Sequence, residues 1–435
     1  MSFELVTYRI EQIADVIGGG TPSTKREDFY GGDIPWITPK DLSGYSDVFI
    51  SNGARNITEL GLKSSSARTL PKNSILFTSR APIGYVAIAE KEVSTNQGFK
   101  SLIPKSNLLD YKFAYYMMKY YAPRIEAIAS GSTFKEVSGS VVKNFEVTIP
   151  KCIKAQRKIA ETLFSLDEGI QNNTRMNQTL EKIAQRIFKS WFIDFDPVKA
   201  NAEGVPYADL SPDIQSLFPS EFVESEMGLI PKGWEAGKAE KSIKAMGGFA
   251  FKSKDFSDEG IPVVKIKNIT NDRTIELNGC DRFAGVVSDK LSKFVLVDGD
   301  ILMAMTGATV GKVGIFTDLG QKGLLNQRVA KITNKEGMNC WYAYMSVTQS
   351  QYFNTIVTQA YGSAQPNISA EGITSVSMVN PNNEVINAYN LMIEPLFEKI
   401  IQNRKQNSVL QKLRDKLLPK LLSGSLKSMM TLKSK

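Results

Sequence analysis

The chain has 435 residues, 42% of them hydrophobic and 23% charged, with a net charge of +8. That is ordinary for a globular protein and long enough for two or three domains, each with its own core. It contains no histidine at all, which excludes Ser-His and Cys-His nucleophile pairs, a histidine general base and a His-ligated zinc.

Cys152, Cys280 and Cys340 are odd in number and far apart, so they form neither a metal spacing nor a disulfide framework. No apolar run approaches the ~20 residues needed to span a bilayer. The opening MSFELVTYRIEQIADV lacks the apolar core of a signal peptide. A soluble, cytoplasmic protein is the expectation. The charge is uneven: residues 194–226 hold eight acidic side chains against Lys199, leaving 52 basic and 37 acidic residues elsewhere. A basic body with one acidic segment points to a polyanion partner, although excess lysine also serves solubility alone.

In chain order, the first stretch mixes short β-branched and aromatic runs (ILFTS, YVAIAE, FEVTIP) with Gly, Pro and Asn turns. Late in it comes a helical segment, DYKFAYYMMKYYAPRIEAIA. These features predict a sheet-dominated α+β unit over 1–150. Next, Leu163, Leu166, Ile170, Asn173, Asn177, Leu180, Ala184, Ile187 and Trp191 follow alternating steps of three and four. This is the seam of a helix packed lengthwise on another helix. It predicts a helix of about 156–191 within a helical segment 151–193, with two asparagines in the middle of its apolar stripe. Prolines 197, 206, 212, 219 and 231 argue against a continuous helix over 194–234, which reads as an acidic connector.

The chain then repeats itself. GGGTPSTKREDFYGGDIPWITPKDL at 18–42 aligns with MGGFAFKSKDFSDEGIPVVKIKNI at 246–269, and SILFTSRAPIGYVAI at 74–88 aligns with DILMAMTGATVGKVGI at 300–315. Asn96-Gln97 meets Asn326-Gln327, Gly131-Ser132 meets Gly362-Ser363, and Pro150 meets Pro381. The helix repeats as well: Leu166, Ile170, Leu180, Ile183 and Ile187 fall on Leu396, Ile400, Leu410, Leu413 and Leu417, while Asn173 and Asn177 fall on Asn403 and Asn407. A second sheet-rich unit is therefore expected at 235–381, a second long helix at 382–425 and a basic tail at 426–435. Duplication predicts a pseudo-twofold arrangement with the two helices antiparallel and the asparagines bonding across to fix register. Helices packed on their own units, or pairing between copies of the chain, are the alternatives. For the asparagines the alternative is that they face a partner or solvent.

Motifs for catalysis fail one by one. GATVGKV at 307–313 has one residue too few between its glycines, and a valine after the lysine, for a P-loop. GGGTPS lacks the third glycine of a dinucleotide fingerprint, and VNPNNE at 379–384 is not the Asn/Asp-Pro-Pro-aromatic motif of adenine-amino methyltransferases. No catalytic residue and no metal site is assigned, and a binding protein is preferred to an enzyme.

The repeated polar positions are the candidates for DNA contact. Asn and Gln bond bidentately to adenine, and Arg or Lys to guanine, so Asn96, Gln97, Asn326, Gln327 and Arg328 are candidate base readers; a strand-end turn is the plainer role for Asn-Gln. Glycine-hydroxyl stretches suit close backbone approach to phosphate, or simply tight turns. They bring in Ser132, Thr133 and Ser363, with Gln365 beside the last. Lys25, Lys40, Arg80, Lys135, Lys252, Lys254, Lys265 and Lys267 are candidate phosphate contacts, or solvated surface charges taken singly.

The pattern resembles a known family, the specificity subunit of type I restriction-modification systems. The resemblance rests on GGGTPS…FYGGDIPWITPKDL, FKSWFIDFDPVKANAEG, LFPSEFVESEMGLIPKGW, the closing LQKLRDKLLPKLLSG and the duplication itself. It implies two target recognition domains, each reading one half of a bipartite, asymmetric DNA site. The paired helices would set the spacer and dock two modification (methyltransferase) subunits that methylate adenine with S-adenosylmethionine. A restriction (motor-nuclease) subunit using ATP and magnesium would join them, while this chain would hold no cofactor and no active site. A homodimeric coiled-coil DNA-binding regulator is the rival reading, with a fused methyltransferase as a weaker one.

Overall fold

The computed structural model describes residues 3–131, 135–335, 340–361 and 366–425. It divides into two compact units, one of residues up to 172 together with the segment from 409, the other of residues 173–408.

The first unit is closed by an antiparallel clasp between Leu5–Arg9 and Glu146–Pro150. Its five-stranded sheet runs in the order Ala14–Gly18, Lys100–Pro104, Ile75–Ser79, Ile83–Ala89, Phe49–Ile50. The central strand ILFTS is buried at all five residues, as a continuous apolar run covered on both faces should be. A second sheet runs Arg55–Ile57, Tyr30–Ile37, Val93–Thr95, Thr69–Leu70, its middle two strands parallel. The helix Tyr111–Ala127 is started by Asp110, whose carboxylate accepts from the N–H groups of Lys112 and Phe113.

The second unit repeats this plan. Its clasp pairs Glu235–Lys238 with Ser377–Asn380, and one sheet runs Ile243–Gly247, Val329–Asn334, Ile301–Ala304, Val313–Ile315. The other contains the parallel pair Ile261–Val264 and Gly323–Leu325. One detail differs: where the first unit has a single helix, the second has two, Trp341–Val347 and Ser350–Ala360. At the break, the Thr348 hydroxyl donates to the carbonyls of Tyr344 and Met345, a local bond that competes with helix continuation.

The central helix is Ile153–Phe192 and the C-terminal helix is Asn383–Leu422, each of 40 residues. The central one starts earlier than periodicity predicts because buried Gln156 holds its first turn. Its side chain donates to the carbonyls of Leu108 and Pro150 and accepts from the Asp110 N–H. The helices run antiparallel. In the first unit Asp167 meets Arg414, and Leu163 and Phe164 share a core with Leu417, Leu418, Leu421 and Leu422. In the second, Asn173 Nδ2 donates to Asn407 Oδ1 at 2.8 Å, Asn403 Nδ2 donates to Asn177 Oδ1 at 2.8 Å, and Tyr389 donates to the Ala184 carbonyl at 3.1 Å. Every expected seam residue on the central helix is at least half-buried, and the helix pairs within its own chain.

The stretch 194–234 is not a free connector. It forms a helix Asp196–Glu203, ended by the left-handed Gly204, then a turn Pro212–Gln215 and a hairpin of Phe222–Ser225 with Gly228–Pro231. Val198, Phe218 and Trp234 are buried in the second unit's core beside Trp191 and Phe192. The prolines stop a long helix, as expected, while apolar residues spaced among the acids fold the segment onto the unit.

Each unit also ties its globular part to the long helices through a carboxylate on the central helix, buried in the first unit and half-buried in the second. In the first, Asp167 accepts from Tyr116 at 2.6 Å and pairs with Arg414 at 2.7 Å. In the second, Glu181 accepts from Tyr344 at 2.8 Å and pairs with Arg273 at 2.5 Å. Burial first, and the adjacent carboxylate second, push both phenols well above their ordinary range, so each remains a donor.

Removing one partner leaves a buried charge uncompensated. Arg414→Ala is therefore expected to destabilise the first unit by roughly 3 kcal/mol, and Tyr116→Phe by about 1–2 kcal/mol. Urea unfolding followed by tryptophan fluorescence checks both; unchanged midpoints would remove the anchor.

Candidate nucleic-acid interface

Five separate segments of the first unit converge on one open cleft of about 850 Å³. Lys40 arrives on the turn Pro39–Leu42, which is fixed because Asp41 accepts from the backbone N–H and hydroxyl of Thr38, both at 2.7 Å. Arg80 follows the buried strand Ile75–Ser79, and Asn96 follows Val93–Thr95. Lys135 and Glu136 are held by two backbone bonds between Glu136 and Ser130 and by Val137 N–H donating to the Ser79 carbonyl at 3.0 Å. Lys40, Arg80, Asn96 and Lys135, all read from sequence, line this cleft. So do two acids that sequence reasoning missed, Glu126 and Glu136. Glu136 lies 3.5 Å from Arg80 and 3.5 Å from Lys100.

Other candidates sit differently. Lys25 is exposed and outside the lining; Gln97 is exposed and accepts a hydrogen bond from the Thr21 hydroxyl. Asn96 Oδ1 accepts from the Gly98 N–H at 2.9 Å, and buried Asn326 Oδ1 accepts from the Arg328 N–H at 3.3 Å. Both are Asx-type turns. A bidentate contact to adenine uses the side-chain oxygen as well as the amide, so either asparagine would have to give up its turn to read a base. Asn326, only 7% exposed, holds a turn in this structure. Gln327 and Arg328, beside it on the same loop, are exposed.

In the second unit Lys252 and Lys254 are exposed around the turn Ser253–Asp255. Lys265 is different: it pairs with Asp281 and lies over the Phe256 ring at 4.2 Å, so its charge is already used inside the fold. Lys267 is exposed, 3.8 Å from Asp281. The turn that carries it repeats that of Lys40, with the Asn268 oxygen accepting from the Lys265 N–H as Asp41 does from Thr38. Ser132, Thr133, Ser363 and Gln365 lie outside the described residues. Among the described residues no group of three or more Cys, Asp or Glu is placed to hold a metal ion, and no helix is long and apolar enough to cross a membrane.

Comparison with known proteins shows the family. Residues 4–182 match the type I restriction modification DNA specificity domain. The chain is 35% identical to the MjaIX specificity subunit of Methanocaldococcus jannaschii, over 96% of this chain and 93% of that protein. It is 25% identical to the HindI specificity subunit of Haemophilus influenzae, over 89% of this chain and 96% of that one. A crystal structure of a type I restriction-modification S subunit from M. genitalium shares the fold, with a TM-score of 0.59 at 16% identity, covering 97% of this chain and 96% of that one. The chain belongs to the family of type I restriction enzyme specificity subunits. It is thus a DNA-recognition component of a restriction-modification system.

The Asx turns carry a prediction of their own. Asn96→Ala and Asn326→Ala each strip a turn of its acceptor and should cost about 1 kcal/mol, read as a lower midpoint in thermal unfolding. No change in either would mean that these turns hold without the side chain.

Proposed function

We propose that this chain is the non-catalytic subunit that selects the DNA sequence for a methyltransferase and nuclease complex. Each sheet-rich unit reads one half of a bipartite, asymmetric site, and the paired helices set the spacer. The observation that carries this reading is the convergence of Lys40, Arg80, Asn96 and Lys135 on one cleft of a recognition unit that the chain contains twice.

Physical chemistry assigns the roles. Lysines such as Lys40 and Lys135 neutralise phosphates and fix position without reading sequence. Groups aimed at base edges supply selectivity. Half-sites read from one side of the duplex lie about one turn, roughly 34 Å, apart, and the untouched pairs between them contribute through shape. A 40-residue helix is roughly 60 Å long, ample for such a spacing. The crossed bonds Asn173–Asn407 and Asn177–Asn403 would hold the register on which the spacer depends.

Two adenine-N6 methyltransferase subunits would dock along the helices. Met176 and Ile183 on the central helix, and Val409 and Leu413 on the C-terminal one, are each 40% exposed or more. Large apolar side chains left in water on a long helix fit a protein partner. Ile183 and Leu413 are repeat counterparts, as two docking events of one kind would require. S-adenosylmethionine would be carried by those partners, and ATP and magnesium by a motor-nuclease subunit. A homodimeric regulator is less well supported, because the helix seam is satisfied within one chain.

Replacing residues 1–150 with the corresponding unit of another specificity subunit should change one half of the methylated motif and leave the other half and the spacer intact. Methylome sequencing reads this directly, and a change in both halves would refute modular recognition. In the assembled complex, Lys40→Ala with Lys135→Ala should weaken binding alike on all sequences and lower the salt slope by about two. An unchanged slope would take these lysines off the phosphates.

A further inference from the structure

The two units carry the same backbone frame at the cleft but different side chains on it. Ser79 N–H donates to the Gly98 carbonyl at 2.8 Å and its carbonyl accepts from Val137 at 3.0 Å; Met305 N–H donates to the Arg328 carbonyl at 3.0 Å and its carbonyl accepts from Ile368 at 2.9 Å. The next residue but one is left-handed in both, Ala81 at φ 57° and Gly307 at φ 74°. Arg80 therefore occupies the place of Thr306, and Glu136 the place of Asn367. Around them, the lysine turn and the Asx turn are retained in both units. What stays constant is the frame and the lysine-bearing turn; what changes is the pair Arg80/Glu136 against Thr306/Asn367.

Resting on the DNA-reading function proposed above, we propose that these paired positions are the specificity-determining residues of one base pair in each half-site. In the first unit Arg80 takes a guanine, its planar fork matching O6 and N7. Glu136, 3.5 Å away and itself held by its backbone, is the positioning residue that keeps the guanidinium aimed. A carboxylate in a cleft that meets phosphates opposes general binding, so its presence there favours a selective role over an affinity role. In the second unit the Thr306 hydroxyl is buried, and exposed Asn367 presents the polar group. Asparagine pairs bidentately with adenine N6 and N7. The first unit's half-site thus contains a G·C pair at this position and the second unit's an A·T pair.

The test uses the complex of this chain with its methyltransferase subunits and reads the methylome. Arg80→Thr with Glu136→Asn should relax or exchange one G·C pair in one half-site, with discrimination there falling on the order of ten- to a hundredfold. The other positions, the spacer and the second half-site should be unchanged. Asn367→Ala, at an exposed site, should relax one A·T pair in the opposite half by a similar factor. Should the double variant abolish methylation, Arg80→Lys decides, since it keeps the charge and loses the fork; it should relax the same single pair. Half-sites unchanged at every position, or a uniform loss across all sequences, would overturn the proposal. Failure of the underlying function looks different: no bipartite motif for the parent chain, or both halves altered by a change in one unit.

Discussion

Two side-chain hydrogen bonds between the long helices carry much of the logic of this molecule. Asn173 donates to Asn407 and Asn403 donates to Asn177, each at 2.8 Å. The repeat makes them one bond written twice: Asn403 is the counterpart of Asn173, and Asn407 that of Asn177. Apolar residues would pack such a seam with more stability and less definition, because leucines tolerate sliding by a turn and an asparagine pair does not. The choice has a visible cost. Asn403 is fully buried and its Oδ1 has no partner among the described residues, a penalty on the order of 1–3 kcal/mol. Under the proposed function, a fixed register between the two reading units would offset it.

Beyond that seam, each unit is bound to the helices by a tyrosine, a carboxylate and an arginine. Asp167 and Glu181 stand two heptads apart on the central helix, and each is met by a tyrosine of the globular helix region and an arginine from elsewhere in its unit. These buried and half-buried charges do not have to add stability over an apolar packing. Their geometry is directional, so they fix how the globular part is held on the helix as well as that it is held.

The large pattern was legible in sequence because duplication and helical spacing are both periodic signals. The seam from Leu163 to Trp191, the second copy and the alternation of sheet-rich units with long helices all follow from spacing. What was not legible depends on long-range contact. Asp167 and Phe188 lie off the seam yet are among the most buried residues of the central helix, because the globular parts cover them as well as the partner helix. The prolines of 194–234 marked an acidic connector with no long helix, but not that Val198 and Phe218 fold it into a core, which no local signal announces. Among the candidate site residues, Lys40, Arg80 and Lys135 stood out by charge, and they line one cleft. Glu136 was passed over because an acid does not suggest DNA contact, and the pairing of Lys265 with Asp281 was not visible because the two are distant in sequence. A residue-by-residue comparison of the two copies would have exposed the contrast between Arg80/Glu136 and Thr306/Asn367.

The central claim is that helix register sets the distance between the bases read. The most direct measurement is the methylated motif of a complex in which one extra helical turn, four residues, is inserted at matching repeat positions beside the asparagines in both helices. The account predicts a motif with both half-sites intact and a longer spacer. An unchanged spacer, with methylation retained, would contradict it.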